Sequence, residues 1–281
     1  MNKKSVSDRA RIAGCLIEGN SIRATVRMTG AAKNTVARLL VDLGWACARF
    51  QDAMLRNLPC KRLQCDEIWA FCYAKQKNVP KDKRGKFGYG DVWTWTAICA
   101  DTKLIPTWLV GPRNTRTATA FMKDLASRLV HRVQLTTDGH KPYLQAVEDA
   151  FGSEIDYATL EKLYGSDPES EHRYSPTVVL AVQDITVQGN PDPDHVSTSY
   201  AERQNLTMRM SMRRFTRLTN AFSKKVQSLE AAVSLHFMWY NFGRIHQSLR
   251  VTPAMAAGVA KRPWTLEDVV GLLDRKNLQA N

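Results

Sequence analysis

Leu63-Gln64-Cys65-Asp66-Glu67-Ile68-Trp69-Ala70-Phe71-Cys72 reads as a β-strand with two acids set in its middle. Burying charge among strand formers is costly unless a charged member has a use. Alternation along a strand sends Asp66 and Glu67 to opposite faces, so Asp66 is expected to look into a site and Glu67 away from it. Downstream, Trp93–Ala100 and Leu104–Val110 form a predicted hairpin around Asp101-Thr102-Lys103, after a basic, turn-rich loop at Lys75–Gly90. Thr115–Leu129 then shows helical spacing through Ala118, Phe121, Met122 and Leu125, and Val133–Thr137 returns to strand. Three strands, a helix and a strand predict an α/β fold, a mixed sheet with crossover helices.

Asp138 follows the last of these strands, at the strand end where ligand sites of such sheets gather. Asp138-Gly139 also fits an ordinary turn. Residues 152–198 are rich in Gly, Pro and Asp, with strand-like runs at Val178–Val182 and Ile185–Val187, and are read as an insertion. A helix is expected to start at Ser199 and a longer one to span Lys225–Phe242. Ser199-Tyr200-Ala201-Glu202 fits a capping box, in which Glu202 closes the helix start. It also stands directly before Arg203–Lys225, 23 residues with seven basic side chains (Arg203, Arg209, Arg213, Arg214, Arg217, Lys224, Lys225) and no acid. In that setting a carboxylate can serve as a metal ligand while arginines hold phosphates.

Upstream, three short helices are predicted between Ser5 and Gly44, the third from about Lys33 to Leu43 with Val36, Leu39 and Leu40 as its buried face. Gly30 permits the tight turn before it, as in a helix-turn-helix, which would aim Lys33, Asn34, Thr35 and Arg38 at a DNA major groove. A small three-helix bundle would show the same periodicity. Charge separates along the chain. Residues 1–62 carry 12 basic and 4 acidic side chains, residues 63–202 carry 15 and 19, and residues 203–281 carry 13 and 4, for a net +13. Basic ends around an acidic middle suit a polyanion binder with a carboxylate metal site.

No apolar run approaches the roughly 20 residues of a membrane span. The start, Met1-Asn2-Lys3-Lys4, leads into polar sequence, so the expected location is the cytoplasm, with no membrane partner. Six scattered cysteines contain no C-x-x-C pair, which argues for reduced thiols over a disulfide framework; Cys60, Cys65 and Cys72 with a histidine form an irregularly spaced alternative metal set.

The runs Asn57–Trp69, Gly90–Thr96, Gln134–His140, Ser197–Arg209 and Tyr240–Leu249, followed by Thr252-Pro253-Ala254-Met255, together resemble bacterial transposases of the insertion sequence 1 family. The resemblance spans nearly the whole chain. It implies a ribonuclease H-like catalytic domain at 61–250, preceded by a helix-turn-helix domain at 1–50 and followed by a helical tail at 251–281. It places an acidic triad of the DDE type on Asp66, Asp138 and Glu202, spaced 72 and 64 residues apart.

Two Mg²⁺ ions, with Mn²⁺ as substitute, are the implied cofactors, because hard oxygen donors suit them and two such ions stabilise both attacking and leaving oxygens at phosphorus. The implied reaction is strand cleavage at the ends of the element, then attack on target DNA by the freed 3′-hydroxyl. Expected partners are terminal repeats, target DNA and further copies of the chain, at the nucleoid. Arg203, Arg209, Arg213, Arg214, Arg244 and His246 are candidate DNA contacts, with Asn241 beside the last two. His246 at a helix end could instead bond free carbonyls. His140 is read as a solvated turn residue, Trp93 and Trp95 as core, and the Met208, Met210, Met212 alternation carries no assigned role. A DNA-binding repressor that no longer cuts, and a nuclease without strand transfer, are the two alternative functions.

Overall fold

The computed structural model describes residues 4–165, 178–216 and 220–274. Three helices open the chain: α1 (Val6–Ile17), α2 (Ile22–Thr29) and α3 (Lys33–Met54). Ser5 and Ser21 cap the first two, each side-chain oxygen accepting a first-turn N–H at 3.1 Å. Gly30 ends α2 in the left-handed region at φ 68°, which a residue with a side chain adopts only with strain. α3 runs well beyond the expected end near Leu43. Ala46, Cys47 and Phe50 continue its buried stripe, so the boundary expected at residue 50 falls inside a continuous helix.

The sheet follows. Its strands are β1 (Arg62–Cys72), β2 (Gly90–Cys99) and β3 (Trp108–Gly111), then β4 (Val133–Asp138) after helix α4 (Thr115–Ala126). Helix α5 (Pro142–Phe151) leads to β5 (Ile155–Gly165) and β6 (Val178–Gln188). The order is β3-β2-β1-β4-β5-β6, six strands in one mixed sheet: β4 lies parallel to β1 and β5 parallel to β4, while the other pairs are antiparallel. The chain is thus α/β, as expected, and compatible with a ribonuclease H-like arrangement.

β5 belongs to the sheet beside β4, so the segment set aside at 152–198 as an insertion contains a structural strand. Ile155 and Tyr157 are buried in alternation, but flanking Gly and Asp residues break up the apolar run that would have signalled a strand. The two runs at Val178–Val182 and Ile185–Val187 are one strand, β6. Residues 166–177 of that segment, Arg217 and residues 275–281 of the expected tail lie outside the described residues.

The remaining helices are α6 (Ser199–Ser211), α7 (Val226–Met238) with a π-turn at Trp239–Gly243, α8 (Pro253–Ala256) and α9 (Leu266–Gly271). The sheet carries an apolar layer on each face. Leu63, Cys65, Trp95, Leu135 and Tyr157 join α1, α3, α4 and α5 on one side; Ile68, Ala70, Val92 and Ile98 join α6 and α7 on the other. α7 serves both, giving Leu229, Val233 and Phe237 to one layer and Ala231, Leu235 and Met238 to the other. A helix apolar all round must be enclosed, and α7 is. Among the described residues no helix is long and apolar enough to cross a membrane. All six cysteines are free and five are buried.

Candidate metal centre and its surroundings

β1 and β4 run parallel, with Gln64 opposite Thr136. Two residues further on, the same register sets Asp66 beside Asp138 at the carboxyl end of β4, so neighbouring strands present two carboxylates on one face. Asp66 Oδ1 accepts the Glu67 N–H at 2.7 Å, and its Oδ2 accepts the Asn205 side-chain amide at 2.7 Å. Asp138 Oδ1 accepts the His140 N–H at 3.0 Å. The Asp-Gly turn and the site reading of Asp138 therefore coexist, because the turn orients the carboxylate.

Glu67 was expected to point away. Its side chain does leave β1 on the other face, 1% exposed, but it reaches the same spot around the end of β4. Oxygens of Asp66, Glu67 and Asp138 lie within 4.8 Å of one another, and this is the one such cluster of possible ligands among the described residues; the cysteine alternative does not assemble. Arg113 clamps it, with Nε 3.2 Å from Glu67 Oε2 and Nη2 3.7 Å from Asp138 Oδ2, its guanidinium 4.9 Å from the Trp93 ring centroid. Trp95 and Tyr143 pack beneath it in edge contact, so Trp95 is core as expected. His140, expected to be solvated, packs against both rings, tilted to Trp95 and edge-on to Tyr143, and is held below its usual pKa by burial and by Arg113.

Burial, then the Asp138 and Glu202 charges, push Asp66 up to about 6; burial and Asp138 push Glu67 up to about 7. Arg113 opposes both shifts without cancelling them. Carboxylates crowded until they resist ionising are what a divalent cation relieves. Buried Glu67 Oε1 and Asn205 Oδ1 also lack hydrogen-bond partners, two oxygen acceptors left over beside the cluster. Oxygen-only donors, several carboxylates and spare acceptors fit a hard cation.

Glu202 sits near this group without joining it. It lies on α6, one turn before Asn205, close enough for its charge to raise Asp66. Its Oε1 is bonded by Lys162 of β5 and by the Thr198 hydroxyl at 2.7 Å. The capping-box alternative is not realised, since Thr198 is the N-cap and no side chain of α6 caps it. That task falls to Gln64 on β1, whose buried Oε1 accepts the N–H groups of Tyr200 and Ala201 at 2.8 and 3.2 Å. Gln64 and Asn205 thus fasten α6 over β1, two residues before Asp66 and onto it.

Sequence reading missed Glu67, Arg113, Gln64, Asn205 and Lys162. Asn205 was accessible from the i, i+3 relation to Glu202, and Gln64 from its place two residues before Asp66 on the same strand face. Arg113 and Lys162 carry no local signal; tertiary pairing alone brings them in.

Of the expected DNA contacts, Lys33, Asn34, Thr35 and Arg38 lie exposed on the first turns of α3. Arg203, Arg213 and Arg244 are exposed, Arg209 half-buried. Arg214 is turned onto the Ser223 hydroxyl at 2.6 Å, and its enclosure lowers its pKa. His246 bonds Ser248 Oγ at 3.0 Å. Asn241 is fully buried and cannot touch DNA: it accepts from the Ile105 N–H, donates to the Ile105 carbonyl and donates to Gln51. Met208 and Met212 are core while Met210 is 75% exposed, so the methionines form no stripe. No protein-family model and no curated protein matches the chain. Fold and cluster together define an α/β protein with a candidate divalent-cation site where β4 ends beside the middle of parallel β1.

Proposed function

We propose that the protein is a DDE-type transposase of the insertion sequence 1 family, cleaving DNA at the ends of its element and transferring the 3′-hydroxyl strand to a target. The observation that carries this reading is the convergence of Asp66, in the middle of β1, and Asp138, at the end of neighbouring β4, beneath a helix that bears Glu202. The sheet order is compatible with a ribonuclease H-like catalytic domain, and α2 and α3 supply the helix-turn-helix, with Lys33, Asn34, Thr35 and Arg38 toward the major groove.

Asp66, Asp138 and Glu202 would hold two Mg²⁺ ions, or Mn²⁺, with Glu67 behind them. Bound there, such ions supply charge stabilisation for the attacking and leaving oxygens. The protein's own residues prepare the place. Gln64 and Asn205 hold α6 against β1. Arg113 offsets carboxylate repulsion, and its partly exposed guanidinium is free to turn to a phosphate. Lys162 holds Glu202 aside, so engagement of Glu202 requires that ion pair to exchange; both side chains are partly exposed, which keeps the exchange cheap. Arg203, Arg209, Arg213, Arg244 and His246 extend a basic surface along and beyond α6 for the backbone. Transposition joins two ends, so the working form is a homo-oligomer on DNA at the nucleoid.

The test is incubation with DNA flanking the encoding gene, plus Mg²⁺ or Mn²⁺. Wild type is expected to give both nicked and joined products, and Asp66→Asn, Asp138→Asn and Glu202→Gln neither. Nicks without joining would identify a nuclease. Sequence-specific binding indifferent to Asp66→Asn, with no cleavage, would identify a repressor.

A further inference from the structure

On the flank of α6 away from Glu202 and Asn205 lies a second feature, a cleft of about 270 Å³ between α6, the β2–β3 connection and the segment after the π-turn. Tyr200, Arg203, Gln204 and Thr207 line it at helical spacing, and Lys103, Arg244 and His246 face them. Three permanent cations and a histidine meet there, and no Asp or Glu is among the lining residues. Among the described residues, neither Arg203 nor Arg244 has a carboxylate partner. Lys103 is fixed rather than trailing: its ammonium bonds the Ala100 carbonyl and sits 3.3 Å from the Tyr200 ring centroid. Beside them Gln204, 2% exposed, buries an amide Nε2 that finds no acceptor in the protein. Orphaned buried donors are rare, and the cost is removed by a ligand that brings an acceptor.

The chemistry of the lining selects the ligand. Several cations plus an unfilled amide donor call for an anion with several acceptor oxygens. The volume exceeds one phosphate group and approaches the roughly 300 Å³ where small-ligand pockets begin. Tyr200 and Ile245, both substantially exposed, offer apolar surface at the same cleft. We infer that this cleft is a subsite for one nucleotide phosphate, filled by a DNA strand that crosses α6 from the carboxylate cluster. The identity of the strand rests on the transposase reading; the affinity for a nucleotide phosphate does not.

The experiment is isothermal titration calorimetry on the full-length chain in EDTA, which removes cation-dependent binding at the carboxylates. Inorganic phosphate and deoxyadenosine monophosphate are expected to bind, the nucleotide more tightly, and deoxyadenosine without phosphate to give no heat. Arg203→Ala and Arg244→Glu alter exposed side chains, so their melting temperatures are expected to match wild type while each weakens the nucleotide at least about tenfold, the scale of one charge-assisted hydrogen bond. Gln204→Leu is expected to weaken it further, and Asp66→Asn to leave it unchanged. Absence of nucleotide binding, equal affinity in the arginine variants, or dependence on Asp66 would each overturn the subsite. Nucleotide binding without strand cleavage would leave the subsite standing and sink the transposase reading; cleavage without nucleotide binding would do the reverse.

Discussion

Asp66 and Glu67 are held in a state they resist, and the resistance can be measured. Their folded pKa values, about 6 and about 7, lie above those of free carboxylates. Protonation therefore favours the folded chain: the contribution of these groups is fully present below about pH 4 and is lost as pH rises through 6 to 7. A divalent cation competes with those protons, so the rise in melting temperature on adding Mn²⁺ is expected to be larger at pH 8 than at pH 5.5. An equal rise at both values would mean that the cation binds elsewhere. Glu67→Gln removes one of the crowded charges and is expected to raise the metal-free melting temperature at pH 8 while shrinking the Mn²⁺ response. Gln64 offers a separate test. Gln64→Leu deprives two N–H groups at the start of α6 of their acceptor, a loss of about 1–3 kcal/mol. Chemical denaturation should report that loss, together with a weakened Mn²⁺ response as Glu202 drifts from Asp66; unchanged values for both would show that Gln64 does not position the helix. Asp66 was legible in the sequence because it sits inside a strand, where a charge needs a reason; Asp138 also fitted an ordinary turn and was singled out by its place after a strand and by the family resemblance. Glu67 was misjudged because alternation fixes the face a side chain leaves from, not where a long side chain ends when the neighbouring strand stops.

Among the elements, α3 packs on α7 within the apolar layer that includes Leu63, Cys65 and Trp95. Gly44 is why they can meet so closely: a Cβ there would lie 2.3 Å from the Ala231 Cα and 2.6 Å from its carbonyl oxygen. Gly44→Ala sets two effects in opposition. Replacing a helical glycine gains about 1 kcal/mol of propensity. Forcing two backbones apart in a packed core costs about 1–3 kcal/mol, and here the obstacle is main chain, which cannot turn aside. The steric term wins, so the variant is expected to be less stable in urea; a more stable one would mean that the helices are not packed so tightly. The same junction holds the Asn241–Gln51–Ile105 network, with Gln51 also donating to the Cys47 and Ser234 carbonyls. Helix periodicity made α4, α7 and the first half of α3 readable, down to the buried stripe of Val36, Leu39 and Leu40, but not the continuation of α3 to Met54. β5 was hidden because a strand inside a sheet is fixed by its neighbours, and its own sequence alternates over too few residues to announce it.

At the scale of the molecule, the two basic ends of the chain are packed into one body with the sheet. α1 lies against α9, where Arg9 bonds Asp274 at 2.8 Å, and the Phe50 ring of α3 meets Phe242 edge-on and Trp264 at a tilt, with centroids 5.4 and 4.7 Å away. Leu40, Leu43, Cys47 and Phe50 belong to the same core as Ala231, Leu235, Met238 and Phe242. The sequence suggested a separate N-terminal domain ending at residue 50, with charge and periodicity changing near residue 61, and neither signal reports which apolar faces meet. The packing makes a different prediction. A chain starting at Arg56 would strip the cover from one side of α7 and α9 and leave a contiguous apolar surface of the kind that drives aggregation. Expressed alone, residues 56–281 are expected to be insoluble or to elute as aggregates. Mild proteolysis of the intact chain is expected to spare the peptide bonds between Gly44 and Leu55, because a protease needs exposed, unfoldable backbone and α3 offers continuous helix packed along one face there. A soluble, monomeric 56–281 with a cooperative melt would show that the N-terminal helices are a detachable domain. If instead the two parts fold only together, then on the proposed function any DNA bound by α3 would be held at a fixed distance and angle from Asp66 and Asp138, and the reach between recognition and chemistry would be set by the α3–α7 contact rather than by a linker.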